Sequence, residues 1–469
     1  MNLLGIRGLG FGVRKRTGVR DLGFGVRRRI AGCRLPFADW KTAVACVFSS
    51  NRQSSICNRQ FLRESRVPSP KSRLSLRTPN PEPRIPKKVR HSLLLLLVLG
   101  LAACHRYAAP PSPYVAFVAN HGSNSVAAVD LASFRVMKGI PVAPGPEQVA
   151  VRPLSQEIYA TGDSGSMDII VFPDLRVVKT LHVGASARDV VFTPNGRYAF
   201  VLDPSEGQIV FFDCDSRWEV GRLHFGGPGK PPLGHLVITP EGAVLIASDP
   251  SSNRLVFVST AGREIIGSVN VGKAPGALAL LPDGSKVFVA DTEENKISAA
   301  DVASRQFLAH LEINSRPSWM LAKPDSGELL VFSRESATMT IVDAFHDNVE
   351  ENRPTGRDPA AAVIKPDQSN LFIANAGDGS VMAVDLRTRI VLASTRTGSA
   401  PTALALTPDE RFLVVADRSE SSLAILRVDP AALQAVAANQ RATPSLLLTT
   451  TPVGAEPVDV KIPGWLRSP

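Results

Sequence analysis

The sequence is poor in the residues that build most metal, haem and disulfide sites. It has five cysteines in 469 residues, and three of them, Cys33, Cys46 and Cys57, lie among the first sixty. Cys104 and Cys214 alone support neither a disulfide framework nor a four-cysteine metal site. Histidines at zinc-site spacing, Cys-x-x-Cys-His, Gly-x-Ser-x-Gly and Ser-x-x-Lys are all absent. We therefore predict no catalytic residues, no metal site and no cofactor.

The positive charge is confined to one end of the chain. The formal net charge is +10, but residues 1–90 hold 21 Lys and Arg against four Asp and Glu. The remainder holds 32 basic and 39 acidic residues. The folded part is therefore acidic, which argues against nucleic acid as a partner.

The first hundred residues carry the features of an export signal. Residues 1–86 are rich in Arg, Ser and Pro with little to bury, which predicts a disordered basic leader. Residues 87–103 contain a basic start and an apolar run too short to span a membrane, as in a secretory signal peptide. Leu101-Ala102-Ala103-Cys104 resembles the bacterial lipobox, which implies lipidation of Cys104.

Two further expectations follow from this signal. Because this signal begins so late in the chain, we expect translation to start downstream of Met1, with Val89 as the candidate start and an unusually long leader as the alternative. The lipobox resemblance implies a membrane-anchored lipoprotein of the cell envelope, and in that family Asp after the cysteine favours retention at the inner membrane. His105 stands there instead, so the resemblance favours the outer membrane or its periplasmic face. Residues 104–113 form a Pro- and Ala-rich tether.

Residues 114–469 are a repeat array. A Pro-Asp-Gly-like turn recurs every 41 to 46 residues, at Pro153, Pro194, Pro240, Pro282, Pro324, Pro366 and Pro408. Short, β-branched apolar runs separated by turn residues surround each turn, which predicts four strands per unit. This period and strand count indicate an all-β fold, a β-propeller of four-stranded blades.

The two ends of the array complement each other. Residues 114–120 have the pattern of strand 2 of a blade, with no strand 1 before them. Residues 458–464 have the pattern of strand 1 of a blade, with no strand 2 after them. Pairing them would close the ring and remove exposed strand edges. This composite unit makes eight blades, with seven as the alternative. We predict one helix, from Pro430 to Asn439.

The repeats resemble the YVTN-family β-propeller repeat. The resemblance rests on Tyr114 to Asn120 followed by Val126 to Asp130, on the closer copy Leu371 to Asp385, and on the links at 271–275 and 397–401, which match Val-Gly-x-x-Pro. It implies an exported propeller that acts as a surface or binding protein. Similar repeats occur in lactonases and in quinoprotein and haem-containing redox proteins, so the resemblance does not select a function.

Basic residues recur in the loops that join strand 4 of one blade to strand 1 of the next. Because these loops lie nearest the axis, converging cations there would attract an anion. We predict an anionic ligand at Arg188, Lys230, Lys273, Arg316 and Arg357. The alternative is ordinary solvated loop charge, with Asp189, Asp358 and Glu456 available to neutralise it.

Asn or Asp ends strand 2 in six units, at Asn120, Asp203, Asp249, Asp291, Asn375 and Asp417. We expect their side chains to accept backbone hydrogen bonds in the following turn. A local calcium loop at Asp163–Ser166 or Glu293–Asn295 is the alternative use of such oxygens.

These features together predict a non-catalytic binding or scaffolding protein of the cell envelope. It would hold an envelope protein or an anionic ligand on one propeller face and contact the membrane through Cys104. The alternative is a propeller enzyme, either a lactonase-like hydrolase or a quinoprotein or haem-type redox subunit. His235, at the start of an axial strand, is the best single candidate for a haem or metal ligand.

Overall fold

The computed structural model describes residues 113–225, 233–438 and 446–465, without the side chains of residues 435–438. The leader, the signal peptide, Cys104 and Lys230 lie outside the described residues, as does all but the last residue of the tether.

The described chain forms thirty-two strands and one helix. The strands are β1 (Val115–Asn120), β2 (Ser125–Asp130), β3 (Arg135–Pro141), β4 (Pro146–Val151), β5 (Glu157–Gly162), β6 (Ser166–Val171), β7 (Arg176–His182), β8 (Arg188–Phe192), β9 (Tyr198–Asp203), β10 (Gln208–Asp213), β11 (Trp218–His224), β12 (Leu236–Ile238), β13 (Val244–Asp249), β14 (Arg254–Ser259), β15 (Glu264–Asn270), β16 (Pro275–Leu280), β17 (Lys286–Asp291), β18 (Lys296–Asp301), β19 (Gln306–Glu312), β20 (Trp319–Ala322), β21 (Glu328–Ser333), β22 (Thr338–Asp343), β23 (Asn348–Pro354), β24 (Pro359–Ile364), β25 (Asn370–Asn375), β26 (Ser380–Asp385), β27 (Ile390–Arg396), β28 (Pro401–Leu406), β29 (Phe412–Asp417), β30 (Ser422–Arg427), β31 (Leu447–Pro452) and β32 (Pro457–Lys461). The helix is α1 (Pro430–Ala438).

These strands form eight four-stranded antiparallel sheets arranged as the blades of a propeller. Blade 1 consists of β32, β1, β2 and β3, and blades 2 to 8 follow in chain order from β4 to β31. β1 pairs antiparallel with β32, with Val118 opposite Val460. The ring therefore closes through its terminal strands, and the prediction of eight blades is confirmed. No helix in the described part of the chain has the length and apolar character needed to cross a membrane.

The core consists of a hydrophobic layer between each pair of neighbouring blades. Successive side chains of a strand point to opposite faces of its sheet, so one strand supplies two layers. In β17, Phe288 packs toward blade 6 and Val287 and Val289 pack toward blade 4. Strands 2 and 3 of each blade are buried in this way, strand 1 is partly buried, and strand 4 is largely exposed.

The Asx residues that end strand 2 hold the loops of the upper face, which we define as the face carrying the 2→3 and 4→1 loops. Asp203 accepts amide hydrogens from Ser205 at 3.0 Å in its own turn and from Ala185 at 3.0 Å in the 4→1 loop. Asp417 likewise accepts from Glu420 at 2.9 Å and Ala400 at 3.0 Å. The predicted role of these side chains is confirmed at Asp203, Asp249 and Asp417.

Each 3→4 loop contacts the preceding blade. In blades 1 to 7 a non-glycine residue with positive φ occupies this turn, and in blade 8 the insertion containing α1 takes its place. Arg389 illustrates the contact, because it forms ion pairs with Glu328 at 3.0 Å, Glu350 at 2.7 Å and Glu351 at 2.9 Å of blade 6. Phe134 closes the ring in the same way, with its ring centroid 5.7 Å from that of Phe412.

Candidate functional site

A cavity of about 860 Å³ opens around the propeller axis on the upper face. One wall is charged and carries Glu147, Asp163, Arg188, Asp189 and His235 from blades 2 to 4. The opposite wall comes from the inner strands of blades 7, 8 and 1, and combines small apolar residues with Thr402, Asp459 and Lys461. Its apolar residues are Ala361, Ala362, Ala403, Leu404 and Val458. The cavity therefore offers a ligand fixed charges from blades 1 to 4 and an apolar patch from blades 7 and 8.

Ionisable side chains form a continuous chain of short polar contacts along the rim of this cavity, which we call the rim chain. It runs from blade 8 through blade 1 to blades 2 and 3. Arg418 lies 3.1 Å from Glu456, Glu456 lies 3.4 Å from His121 Nδ1, His121 Nε2 lies 3.2 Å from Asp163, and Arg188 lies 3.2 Å from Asp163 and 3.0 Å from Glu147. The hydrogen bond from Arg418 holds the pKa of Glu456 below its ordinary value.

The backbone around the rim chain is held by strand ends and neighbouring loops. The amide of His121 donates to Glu456 O at 2.9 Å, and the amide of Asp163 donates to Gly145 O at 3.0 Å. Gly145 has φ near +65°, and a Cβ there would stand 3.2 Å from the Asp163 side chain. The charged side chains are therefore presented by ordered backbone.

His235 belongs to a second charged pair inside the cavity. Its Nδ1 lies 2.9 Å from Asp189 Oδ2, which also accepts the amide hydrogen of Leu236 at 3.1 Å. Reduced hydration works to lower the pKa of His235, but the hydrogen bond and charge of Asp189 outweigh it, so the pKa of His235 is raised. The His235 side chain is half-exposed, which leaves Nε2 available to a ligand.

The four predicted basic residues that the structure describes do not all reach the cavity. Arg188 lines the cavity, where Glu147 and Asp163 pair with it. Arg357 is largely exposed and pairs with Asp378 at 2.6 Å, and Arg316 is exposed. The backbone amide of Lys273 donates to Glu294 at 2.9 Å. The anionic ligand stays a prediction, and Arg188 is the member of the described set that reaches the cavity.

Carboxylates outnumber permanent cations in the cavity lining, where Glu147, Asp163, Asp189 and Asp459 face Arg188 and Lys461. Asp163 and Asp189 are among the residues named from the sequence, whereas Glu147 and Asp459 were missed. The sequence contains a signal for one contact at this rim. His121 and Asp163 are 42 residues apart and occupy the same position in adjacent repeats, which predicts that they lie next to each other in the ring. Cys214 is buried in the core, as expected for a small apolar residue.

The comparisons with known proteins support the fold. No protein-family model matches the chain, and no curated protein matches it. The structure is similar to that of dihydro-haem d1 dehydrogenase NirN in complex with DHE, at TM-score 0.63 and 12% identity over 76% of each chain. It is also similar to a functionally unknown protein from Desulfotomaculum acetoxidans, at TM-score 0.50 and 13% identity over 61% of this chain and 97% of that one. Hydrazine synthase from Kuenenia stuttgartiensis matches at TM-score 0.46 and 17% identity, over 58% of this chain and 88% of that one. At these identities the first two similarities support the fold alone and leave the function open.

Proposed function

We propose that this chain is a non-catalytic binding protein of the cell envelope, a lipid-anchored YVTN-type propeller that holds its partner at the axial cavity. The observation that carries the proposal is the cavity itself, in which charged groups of blades 1 to 4 face an apolar patch on blades 7 and 8. Binding sites for small molecules and peptide segments combine an apolar surface with a few placed polar groups in this way.

The charged wall is suited to binding because its groups are already paired and positioned. Arg188 is held by two carboxylates and Asp189 by His235 and a backbone amide. Such groups need little reorganisation when a ligand arrives, which lowers the entropic cost of association. A ligand bearing both an apolar face and hydrogen-bonding groups fits this arrangement best.

Blocking the cavity should abolish partner binding. Ser205 lies in the 2→3 turn of blade 3, is exposed and lines the cavity, so Ser205→Trp is expected to reduce retention of the native partner at least tenfold. The measurement is quantitative mass spectrometry of ligands and proteins that co-purify with the tagged chain from envelope extracts.

Ser216 provides a matched control in the same blade. Both serines donate a backbone amide to the Asp at the preceding strand end, at 3.0 Å for Ser205 and 2.8 Å for Ser216. Ser216 lies in the 3→4 loop on the opposite face. Ser216→Trp should therefore retain the partner. Equal retention in the two variants would contradict the assignment of the binding site to the axial cavity.

Removing the predicted lipidation site should release the protein from the membrane. Because the acyl chains would be attached to the Cys104 thiol and amine, Cys104→Ser should move the chain from the membrane fraction to the soluble fraction and abolish incorporation of labelled palmitate. Cys214→Ser is the control. Palmitate labelling that survives in Cys104→Ser would reject the anchor and leave the cavity proposal untouched.

A second candidate, a haem-type redox subunit, is favoured by one observation. The Asp189 contact at Nδ1 orients the half-exposed His235 ring and leaves Nε2 free, as for a histidine that ligates a metal. His235 would hold the iron, which would supply the electron transfer when bound. An absorbance spectrum of the purified chain separates the candidates. A haem band lost in His235→Ala supports the redox subunit, and a colourless sample with a stoichiometric partner supports the binding protein.

A further inference from the structure

We propose that the rim chain contains a site for a divalent transition metal, with zinc as the representative ion. Its ligands are His121 Nε2 and one carboxylate oxygen each from Asp163 and Glu147. The site lies at the junction of blades 1 and 2 and is separate from the His235 pair.

The three ligand atoms already converge. They all lie within 4.8 Å of one another, and His121 Nε2 is 3.2 Å from Asp163 Oδ2. A tetrahedral zinc ion with ligand distances of about 2.0–2.2 Å needs its ligand atoms about 3.3 Å apart. The three side chains are 28% to 52% exposed, so small rotations suffice to close the remaining gap.

The environment of His121 supplies a separate argument for a cation. Its two ring nitrogens face two carboxylates, with Glu456 3.4 Å from Nδ1 and Asp163 3.2 Å from Nε2. In the tautomer with its proton on Nδ1, the imidazole donates to Glu456 and presents the lone pair of Nε2 toward Asp163. If Nδ1 donates to Glu456, a metal ion at Nε2 completes the other contact. A carboxylate on the distal nitrogen is the usual second partner of a metal-bound histidine.

Arg188 acts as the internal competitor for this site. A terminal guanidinium nitrogen lies 3.0 Å from Glu147 and 3.2 Å from Asp163, which places a cation against the two carboxylates that would bind the metal. The Arg188 side chain is half-exposed, so the cavity has room for its guanidinium once a metal ion has taken its two carboxylate partners. Metal occupancy and the position of Arg188 would then be linked.

The donor set selects the class of ion. One imidazole and two carboxylates suit zinc and its first-row neighbours, with the remaining position open to water or to a ligand. Calcium requires six to eight oxygen ligands, which these three side chains do not supply. Zinc is therefore expected to bind and calcium is not.

The test is calorimetric titration of the full chain with zinc chloride at pH 7.5. We expect one site per chain in the unsubstituted protein, weakened at least tenfold by His121→Ala and by Asp163→Asn. Arg188→Gln should tighten the site at least tenfold, because it removes the competing cation and keeps both carboxylates. A merely structural role of His121 would not produce this opposite response.

His346 is the control for non-specific binding. It is an exposed histidine with a carboxylate partner, since Asp343 lies 2.6 Å from its Nδ1, but it lacks the further ligands. His346→Ala should leave the titration unchanged. Absence of a site in the unsubstituted chain, a site that survives His121→Ala, or calcium binding at equal affinity would each overturn the proposal. Zinc binding that appears only in Arg188→Gln would also overturn it for the natural protein.

Discussion

Gly398→Ala is expected to lower the free energy of unfolding by about 3 kcal/mol, as for an overpacked core position. A Cβ at this position would overlap Asp417 Oδ2, which is fully buried. Asp417 is not free to retreat, because it is held by the amides of Ala400 and Glu420. The substitution must therefore displace either the 4→1 loop or the Asx contact that holds it.

The measurement is the urea midpoint of the purified chain, followed by far-ultraviolet circular dichroism. Gly139→Ala is the control, since a Cβ there would meet no atom within 4 Å, and its effect should stay within about 0.5 kcal/mol. Equal urea midpoints for the two variants would show that the 4→1 loop moves to accept the added methyl group at little cost. That result would contradict the rigid contact between this loop and Asp417.

The close contact between the loop glycine and the Asx side chain explains the Gly of the Val-Gly-x-x-Pro link. It also shows why the sequence predicts the fold well. A Cβ at Gly184, Gly272, Gly356 or Gly454 would also collide with the Asx residue at the end of strand 2. Glycine in the link and Asx at the strand end are therefore one structural unit that recurs along the chain. Because each blade repeats such local rules, blade number, ring closure and α1 were predictable from spacing and pattern.

The site was less predictable, because it depends on contacts between blades. Arg188 was expected in a 4→1 loop but is the first residue of β8, where it pairs with Glu147 and Asp163 at the cavity, whereas Arg357 lies in the loop before β24 and pairs with Asp378 away from the cavity. The periodicity places a side chain near a loop without stating which carboxylate of a neighbouring blade it meets. The rim chain joins blade 8 to blade 3 through such contacts, so it appears only when the ring is assembled.

Asp291→Asn is expected to stabilise the protein at pH 8 and to have little effect at pH 4. Asp291 is fully buried, and this burial raises its pKa from 3.8 to about 6, although Ser298 donates to Oδ2 at 2.7 Å. Its Oδ1 has no hydrogen bond, as is also true of Oδ1 in Asn120 and Asn375. Those two residues show that a neutral amide occupies this position in two other blades.

The direction of the pH effect follows from proton binding. A carboxyl group with a raised pKa in the folded state favours folding while it is protonated. Its contribution is complete below pH 3.8 and is lost as the pH rises through about 6. The shift corresponds to roughly 3 kcal/mol as an upper value, at about 1.4 kcal/mol per pH unit. Asparagine removes this loss, so the stability of the variant relative to the unsubstituted chain should increase between pH 4 and pH 8.

Asp203→Asn separates this electrostatic effect from a general tolerance of Asn at the end of strand 2. Asp203 accepts amide hydrogens from Ala185, Ser186, Ser205 and Glu206, and an amide side chain replaces part of that acceptor set with a donor. Asp203→Asn should therefore destabilise the protein at both pH values, and urea midpoints at pH 4 and pH 8 measure both variants. If Asp291→Asn is also destabilising at pH 8, the ionised Asp291 carboxylate stabilises the fold as that of Asp203 does. Its charge would then hold the 4→1 loop before blade 5.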